Sequence, residues 1–361
     1  MLVRLVTALR APTYEHVVVA LGEETPVAAY LADVGVRVYC LGLRPSRPSL
    51  LALSQLRRVA RTEHPDVIHG WMYHGNLAAT MAATGRRHRP PVLWSIRHSL
   101  YSLQAEKPMT RLVIHGGKYF SNRAHLILYN SETSTQQHEA FGYCRYKSLL
   151  IPNGFSTDIF KPDCKARRDV RAELSIPQHS ILIGLIARFH PMKDHGNFFG
   201  AAGYLTQNHP DVHFLLAGNG VTPEEPIFAS LMQKSDFRDR IHLLGDRCDV
   251  PRLTAALDIA SSASAWGEAF SNAIGEAMAC AVPCVGTDLG DTRKIIGDTG
   301  LVVPAGDADA LASAWRTLIE CGRQGREALG QRARQRILDR YALSAVAQQY
   351  AQVYARATGT S

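Results

Sequence analysis

The sequence predicts an α/β protein built from two Rossmann-like domains, each a parallel sheet covered by helices. Short β-rich runs alternate with helical patterns along the chain, which is typical of parallel sheets. This alternation repeats about twice and breaks near residues 152–162. The 361 residues are also enough for about two domains of roughly 150 residues each.

The predicted strands are short and mostly rich in Val, Ile and Leu. They are His16–Leu21, Val36–Leu41, Val67–Gly70, Val92–Ile96, Leu126–Asn130, Leu149–Ile151, Ile181–Ala187, His213–Ala217, Ile241–Leu244, Ile259–Ala263, Cys284–Thr287 and Gly300–Val303. Helical patterns between them are Leu50–Glu63, Gly75–Ala83, Ser131–Phe141 and Ala308–Leu318. We expect domains over residues 1–155 and 156–342. A terminal helix at about residues 343–357 is long enough to pack back across the first domain.

The first ten residues do not resemble the start of a doubly wound domain. Such a domain normally begins with a central strand and a glycine-rich turn. Met1–Arg10 instead has polar residues at positions 4, 7 and 10, which is a helical spacing. We therefore favour a first domain that lacks its first strand, because the chain is a fragment or starts late, over the alternative that Met1–Leu9 is that strand.

Composition excludes several classes of protein. No uninterrupted apolar run approaches the roughly 18 to 20 residues of a membrane span. The seven cysteines are odd in number and contain no Cys-x-x-Cys pair. This pattern favours reduced thiols in a cytoplasmic protein over a disulfide framework or a zinc site.

The positive charge is concentrated in the first half of the chain. Residues 1–155 contain 18 Lys and Arg against 9 Asp and Glu, whereas the remainder contains 22 against 23. The clusters are Arg57, Arg58 and Arg61; Arg86, Arg87 and Arg89; and Arg97, Lys107, Arg111 and Lys118. Such a half suits an anionic membrane surface or a phosphorylated acceptor, and a solvated basic surface is equally compatible. Nucleic acid is disfavoured because no aromatic stacking set accompanies the cations.

The segment Trp266–Met278 carries the most informative pattern. Glu268 precedes a predicted helix, and Glu276 lies inside it eight positions later. Ser271 or Asn272 can cap this helix. Because N–H groups at a helix start attract phosphate, the segment can hold a sugar, a phosphate and a ribose in order.

Two cations follow the predicted strand Ile181–Ala187. Arg188 and Lys193 are therefore expected at the carboxyl end of a strand, where open α/β sheets bind ligands. Opposite a diphosphate, they would stabilise a leaving nucleotide without a metal.

These motifs resemble those of retaining glycosyltransferases of the GT-B fold, in family 4 (glycosyltransferase group 1). The four matches are Glu268-x7-Glu276 with its tail Ala277–Pro283; Ala187–His195; Ile151–Gly154 with Phe160–Pro162; and Gly290-Asp291 with Thr299–Pro304. The resemblance covers nearly all of the chain after about residue 60. It implies two domains facing a cleft, with the acceptor on the first and a nucleotide-diphosphate sugar on the second.

The resemblance also implies roles for individual residues. Glu268, His98, Arg188 and Lys193 are the catalytic candidates, with His98 beside the anomeric carbon. Arg188, Lys193, Glu268, Ala269, Phe270, Ser271, Asn272 and Glu276 would bind the donor, the four after Glu268 through backbone N–H groups. Leu244, Gly245 and Arg247 would meet the nucleobase, and His69, His74 and Arg97 would line the acceptor side.

The expected reaction is metal-independent transfer with retention of configuration, as in polysaccharide biosynthesis. Asp307-Ala308-Asp309 spells the Asp-x-Asp of metal-dependent enzymes, but we interpret it as a helix cap. The co-substrate would be a UDP- or GDP-sugar with no cofactor. The acceptor would be a glycan or a lipid-linked molecule, and the protein cytoplasmic and peripheral on the inner face of the membrane. A nucleotide-sugar epimerase or phosphorylase of the same fold, or a truncated protein that binds donor without activity, remain alternatives.

Overall fold

The computed structural model describes residues 1–10, 13–43, 50–85 and 89–359. The chain divides into two compact units, Met1–Gly154 with Leu343–Ser361 (unit 1) and Phe155–Ala342 (unit 2). Arg86 and Arg87 of the predicted basic clusters lie outside the described residues.

The strands match their predicted positions, with ends that differ by at most one residue. They are β1 (Val17–Ala20), β2 (Arg37–Cys40), β3 (Ile68–Trp71), β4 (Val92–Ile96), β5 (Leu126–Tyr129), β6 (Ser148–Leu150), β7 (Ile181–Ile186), β8 (Val212–Ala217), β9 (Ile241–Leu243), β10 (Ile259–Ser262), β11 (Cys284–Thr287) and β12 (Gly300–Val303). The α/β fold class is thereby confirmed.

Helices separate most of the strands. They are α1 (Leu2–Ala8), α2 (Pro26–Asp33), α3 (Leu50–Glu63), α4 (Met72–Ala83), α5 (Pro108–Phe120), α6 (Glu132–Phe141), α7 (Cys164–Glu173), α8 (His195–Thr206), α9 (Pro226–Gln233), α10 (Val250–Ala255), α11 (Asn272–Ala279), α12 (Thr292–Ile296), α13 (Ala308–Glu320), α14 (Gly322–Tyr341) and α15 (Leu343–Thr358). In the described part of the chain, no helix combines the length and the apolar character that a membrane span requires.

Unit 2 contains one six-stranded parallel sheet. Its order is β9-β8-β7-β10-β11-β12, so the chain winds outward from β7 and then returns to the other side of β7 at β10. Neighbouring residues of one strand enter different cores, because successive side chains point to opposite faces. Leu182 and Leu215 join one buried cluster, whereas Ile183 and Phe214 join the other.

The start of unit 2 supports α11. The Phe155 N–H donates to the Tyr341 carbonyl at 2.9 Å, and the buried Phe155 ring packs on α11. A Cβ at Gly275 would lie 2.0 Å from that ring, so only glycine fits this position in the helix. Phe155, the first residue of unit 2, therefore packs against the helix that carries Glu276.

Unit 1 contains two parallel sheets. One has the order β3-β4-β5-β6, and β1 and β2 form the other. In the described residues, no strand hydrogen-bonds to both sheets. The terminal helix α15 packs against the four-stranded sheet, where Val346 and Tyr350 share a buried cluster with Leu93 and Leu128.

The first residues form a helix. The Leu5 N–H donates to the Met1 carbonyl at 2.9 Å, and the Leu5 side chain is buried in the same cluster as α15. The alternative in which Met1–Leu9 is a strand is therefore wrong. The helical spacing of the polar residues at positions 4, 7 and 10 agrees with the helix that is observed.

Candidate functional site

The candidate site of unit 2 lies at the carboxyl ends of β7 and β10. These strands are neighbours in the sheet, although α8, β8, α9, β9 and α10 separate them in the chain. The direction of winding reverses between them, and doubly wound sheets bind ligands in the crevice at this point. The loop after β7 carries Arg188 and Lys193, and the loop after β10 carries Glu268.

An ion pair joins the two loops. Lys193 Nζ lies 2.5 Å from Glu268 Oε2, and the two side chains are 20% and 12% exposed. Ser264 Oγ donates to the same carboxylate oxygen at 3.2 Å. Two predicted motifs that lie 75 residues apart thus meet in one partly buried contact.

Backbone hydrogen bonds hold both loops in place. The Ala265 N–H donates to the Met192 carbonyl at 2.9 Å, which ties the loop after β10 to the residue before Lys193. Asp194 follows in the left-handed region at φ +47° and caps α8 by accepting from the Asn197 N–H. Lys193 is therefore held between two fixed neighbours.

A glycine sets the backbone next to Glu268. Gly290 has φ +55°, and a Cβ there would lie 2.2 Å from the Glu268 carbonyl oxygen. The following Asp291 N–H donates to the Ala269 carbonyl at 3.0 Å. The Gly290-Asp291 motif therefore positions the Glu268 loop, which gives this motif a physical role.

The amino end of α11 lies on the same loop. Ser271 occupies the N-cap position without a side-chain capping bond, and Asn272 is the first helical residue. Ala269 and Phe270 are buried, and the Phe270 ring stacks on Phe155. Because the first N–H groups of a helix have no intrahelical acceptor, this end offers backbone donors.

The remaining donor candidates differ in exposure. Arg188 is exposed just after β7, where its neighbour Phe189 is fixed by an N–H bond to the Asn219 carbonyl at 2.7 Å. Glu276 is half-buried in α11. His195, which has no predicted role, is buried against Phe189 and Phe228, and burial lowers its pKa to about 4.

The predicted nucleobase loop follows β9. The Leu244 N–H donates to the Leu216 carbonyl, and Gly245 has φ +65°. The Arg247 guanidinium bonds Asp249 at 2.7 and 2.8 Å and Glu173 at 3.2 Å. The hydrogen bond to Asp249 contributes most to raising the pKa of Arg247, and the bond to Glu173 raises it further. The structure thus commits the Arg247 side chain to an ion-pair network between α7 and α10.

His98 follows β4 in unit 1 and has a carboxylate partner. Its Nε2 lies 2.8 Å from Glu106 Oε1, and the side chains are 31% and 23% exposed. The Ser134 hydroxyl donates to the His98 carbonyl at 2.7 Å. The imidazole is therefore oriented from one side and still accessible to a ligand.

The side chains of Arg97 and His69 make hydrogen bonds to other residues of unit 1. The Arg97 guanidinium donates to Asn153 Oδ1 and the Tyr350 hydroxyl and lies 4.8 Å from the Trp71 ring centroid. Burial lowers its pKa.

His69 has both ring nitrogens in hydrogen bonds. They contact the Tyr354 hydroxyl at 3.0 Å and Ser95 Oγ at 2.8 Å, and burial lowers the pKa of His69 to about 3. Together Arg97 and His69 connect β3 and β4 to α15. His74, the third predicted acceptor-side residue, is exposed on α4.

The Asp307-Ala308-Asp309 sequence caps a helix. Asp307 occupies the N-cap of α13 and accepts from the Ala310 N–H at 2.9 Å. This prediction is confirmed. In residues 1–10, 13–43, 50–85 and 89–359, no three His, Cys, Asp or Glu side chains lie together as a metal site.

Family comparison agrees with both units. Residues 1–159 match the family described as Glycosyltransferase Family 4, and residues 180–321 match Glycosyl transferases group 1. The chain belongs to the group 1 glycosyltransferases of the GT-B fold.

Individual relatives of this glycosyltransferase are distant. An Escherichia coli UDP-Gal:α-D-GlcNAc-diphosphoundecaprenol α-1,3-galactosyltransferase is 23% identical over 81% of this chain and 77% of its own. The Bacillus anthracis N-acetyl-α-D-glucosaminyl L-malate synthase is 32% identical over 40% of this chain. That match spans 37% of the relative's length.

Solved structures show the same fold. Anabaena HepE in complex with UDP and glucose has a TM-score of 0.85 and 22% sequence identity. The similarity covers 98% of this glycosyltransferase and 95% of HepE.

The sequence did not indicate several hydrogen-bond partners of the predicted site residues. Glu106 lies in a loop eight positions after His98, and no motif marks it. Ser264 lies two residues after the end of β10, and it belongs to no recognisable motif. Tyr350 and Tyr354 are four residues apart on α15 and therefore lie on one face of the helix. This spacing is the one sequence feature that could have predicted that both tyrosines contact the same region.

Proposed function

We propose that the protein is a retaining glycosyltransferase that moves a sugar from a nucleotide-diphosphate sugar to a glycan or lipid-linked acceptor. The ion pair between Lys193 and Glu268 carries this proposal. The pair supports the proposal because a cation and a carboxylate lie together at the carboxyl ends of β7 and β10, and doubly wound sheets generally bind ligands at such a point. Both belong to motifs that resemble the donor loops of the family.

The donor diphosphate would lie between Arg188, Lys193 and the amino end of α11. Arginine can grip phosphate oxygens in bidentate fashion, and lysine supplies a point charge. The α11 N–H groups and the helix dipole add attraction for the anion. Glu268 would accept from sugar hydroxyls through the oxygen that faces away from Lys193, and Glu276 would bind the ribose.

Retention would follow a same-face route in which the leaving phosphate takes the acceptor proton. The Glu268 carboxylate already accepts from Lys193 and Ser264, which weakens it as a nucleophile. Lys193 and Arg188 would instead stabilise the negative charge that develops on the phosphate. Charges that are already in position lower the barrier without reorganising during the reaction.

His98 would orient the acceptor or the phosphate. Glu106 holds its Nε2, so the Nδ1 side of the ring is the part that can meet a substrate. His74 remains an acceptor-side proposal because it is exposed. Arg97 and His69 would support this side indirectly, since their polar atoms are held by α15 and neighbouring strands.

Metal independence belongs to the same proposal. Two cations at the leaving group supply charge that a divalent metal would otherwise provide. Asp307, the first carboxylate of the Asp-x-Asp sequence, is engaged in capping α13. We therefore expect sugar transfer to persist in the presence of a chelator.

We propose a UDP-sugar as the donor and a lipid-linked acceptor at the inner face of the cell membrane. The Escherichia coli relative is named for UDP-Gal and a diphosphoundecaprenol substrate, and the HepE structure contains UDP. The excess of basic residues in the first half of the chain suits an anionic surface. The Leu244–Arg247 loop remains our proposal for the nucleobase, through its backbone.

A thermal-shift screen of UDP-, GDP- and ADP-sugars tests the donor. A ligand that binds only the folded protein raises the unfolding temperature by mass action. The stabilising donor is then supplied with a chelator and either an undecaprenyl-diphosphate sugar or a soluble glycan, and the anomeric configuration of the product is determined by NMR. We expect an α-linked product from an α-linked donor.

Three results would contradict the proposal. An inverted linkage would exclude retention. Conversion of the donor to an epimer or a sugar phosphate without acceptor would indicate an epimerase or phosphorylase. Donor binding without any transfer, across acceptors of both classes, would indicate an inactive binding protein.

A further inference from the structure

A pocket lies in unit 1, away from His98. Its volume is about 710 Å³, and it is bounded by the last turns of α4 and by the segments that precede β4, β5 and β6. His98 follows the carboxyl end of β4, whereas this pocket lies at the amino ends of the strands. The two sites therefore occupy opposite edges of one sheet.

The lining of this pocket is strongly basic. Arg89, Arg123, His125 and Lys147 contribute to it, and none of its described lining residues is Asp or Glu. Three permanent cations around one concavity repel one another and attract anions. We propose that this pocket binds a phosphate group.

Lys147 lines the pocket, and two hydrogen bonds hold its ammonium group in place. Its Nζ donates to the carbonyls of Asn122 and Ala124, at 2.6 Å each. An ammonium group has three N–H donors, so these bonds fix its position and leave a third donor. Carbonyl partners are neutral, and the full positive charge therefore remains at the pocket.

Arg123 and His125 flank Ala124 on the same segment. Both side chains are exposed, and the Arg123 guanidinium lies 5.1 Å from the Phe120 ring centroid. Contact with a ring face orients a guanidinium and leaves its N–H groups at the edge for an acceptor.

The other walls offer little competing hydrogen bonding. Pro90 and Pro91 have no backbone N–H. The Thr80 hydroxyl donates to the Asn76 carbonyl, and the Thr84 hydroxyl donates to the Thr80 carbonyl. Recognition therefore falls to the cationic side chains.

Phosphate is the anion that this set fits best. Arginine meets two phosphate oxygens at once, and a fixed lysine meets another. A carboxylate has only two oxygens and satisfies fewer of these donors. Pockets of about 300–1,000 Å³ hold small organic molecules, so the volume leaves room for the group that carries the phosphate. A soluble phosphate ester and a lipid headgroup share this chemistry.

Titration of the full chain with inorganic phosphate tests the pocket. The donor site of unit 2 also attracts phosphate, so the measurement follows the His125 ring signals by NMR, assigned with His125→Gln. We expect saturable shifts of these signals at millimolar phosphate. Chloride at equal ionic strength controls for screening.

Two variants define the site. Arg89→Gln with Arg123→Gln leaves the Lys147 contacts intact, and we expect at least a tenfold weaker phosphate response at His125. The control Arg145→Gln removes an exposed arginine near Lys147 that is not part of the pocket lining, and we expect an unchanged response. Absence of a saturable response, or an equal response in the double variant, would overturn the proposal.

Vesicles distinguish the source of the phosphate. The chain is sedimented with phosphatidylcholine vesicles, with or without phosphatidic acid. Binding that requires phosphatidic acid and is lost in Arg89→Gln/Arg123→Gln, but kept in Arg145→Gln, supports the pocket with a lipid headgroup as ligand. Binding that does not depend on these arginines, together with the His125 response, supports the pocket with a soluble phosphate ester.

Discussion

The two units use charged residues near strand ends in opposite ways. In unit 2, Lys193 and Glu268 meet each other at the edge of the sheet and keep part of their surface accessible. In unit 1, Arg97 follows β4 in the same manner, but its guanidinium turns to Asn153 and Tyr350. A charge after a parallel strand therefore lies at the carboxyl edge of the sheet, and the local packing determines which groups it contacts there.

The difference arises from what packs nearby. Unit 2 returns from β9 to β10 beside β7, which brings the loops after β7 and β10 together at one edge of the sheet. Unit 1 instead receives α15, whose tyrosines supply hydroxyl partners to Arg97 and His69. His98 lies one residue beyond Arg97, and its ring contacts Glu106 through Nε2. It is the unit 1 residue that most resembles the accessible pair of unit 2.

The largest effect is expected from the ion pair of unit 2 and from Arg188, which lies on the same loop as Lys193. Glu268→Ala, Lys193→Ala and Arg188→Ala should each lower kcat/KM by about 10²-fold or more, the scale of losing one electrostatic contact in a transition state. Sugar transfer is measured at matched amounts of folded protein. Lys165→Ala is the control, because that lysine pairs with Asp169 on an exposed helix face. Near-wild-type transfer by all three variants would refute the assignment of this site.

Arg97→Leu should change stability more than catalysis. Asn153 and the Tyr350 hydroxyl would lose their charged donor, which costs about 2 kcal/mol in the free energy of unfolding. Urea denaturation measures this loss, and the exposed Arg145→Leu serves as the comparison. A variant that folds as stably as the wild type but transfers no sugar would place Arg97 among the substrate-binding residues instead.

His98→Ala should have a smaller effect on turnover. Loss of one hydrogen bond of about 1.4 kcal/mol corresponds to a tenfold lower kcat. Glu106→Gln should lower kcat less, because glutamine can still accept from His98, while Glu15→Gln at an exposed glutamate should have no effect. Equal activity of His98→Ala and wild type would remove His98 from the mechanism.

The smallest effect concerns pH. Burial lowers the pKa of His69 from 6.5 to about 3, so the folded state favours the neutral ring. This contribution is complete above pH 6.5 and is lost as the pH falls from 6.5 towards 3, because the unfolded state then binds more protons. Between pH 6.5 and 5.5, wild type should lose about 1 kcal/mol more stability than His69→Gln. Parallel stability curves would contradict a buried neutral His69. His138, His195 and His242 also have lowered pKa values, but they are present in both proteins.

Much of this organisation could be predicted from the sequence. Strands such as Ile181–Ile186 are short apolar runs, and their period and flanking residues identify them directly. The cap at Asp307 could be predicted for the same reason, since capping depends on a few adjacent residues. Local chemistry therefore accounts for the elements and for several motifs.

Tertiary contacts were the part that the sequence did not reveal. Nothing in the residues around Arg97 indicates that Tyr350, more than 250 positions away, supplies its partner. Arg247 looks like a ligand contact until Glu173 and Asp249 are found around it. Whether a polar side chain faces a ligand or another part of the chain depends on elements that are distant in sequence.

Calorimetric titration of the stabilising nucleotide sugar tests the central claim most directly, with wild type, Lys193→Met, Glu268→Gln and the double variant. If the pair is the donor site, each single variant should bind the sugar at least tenfold more weakly. The double variant should then be little weaker than either single variant, because residues in direct contact are not additive. Binding by the double variant as tight as that of wild type would contradict the assignment of the donor to the carboxyl ends of β7 and β10.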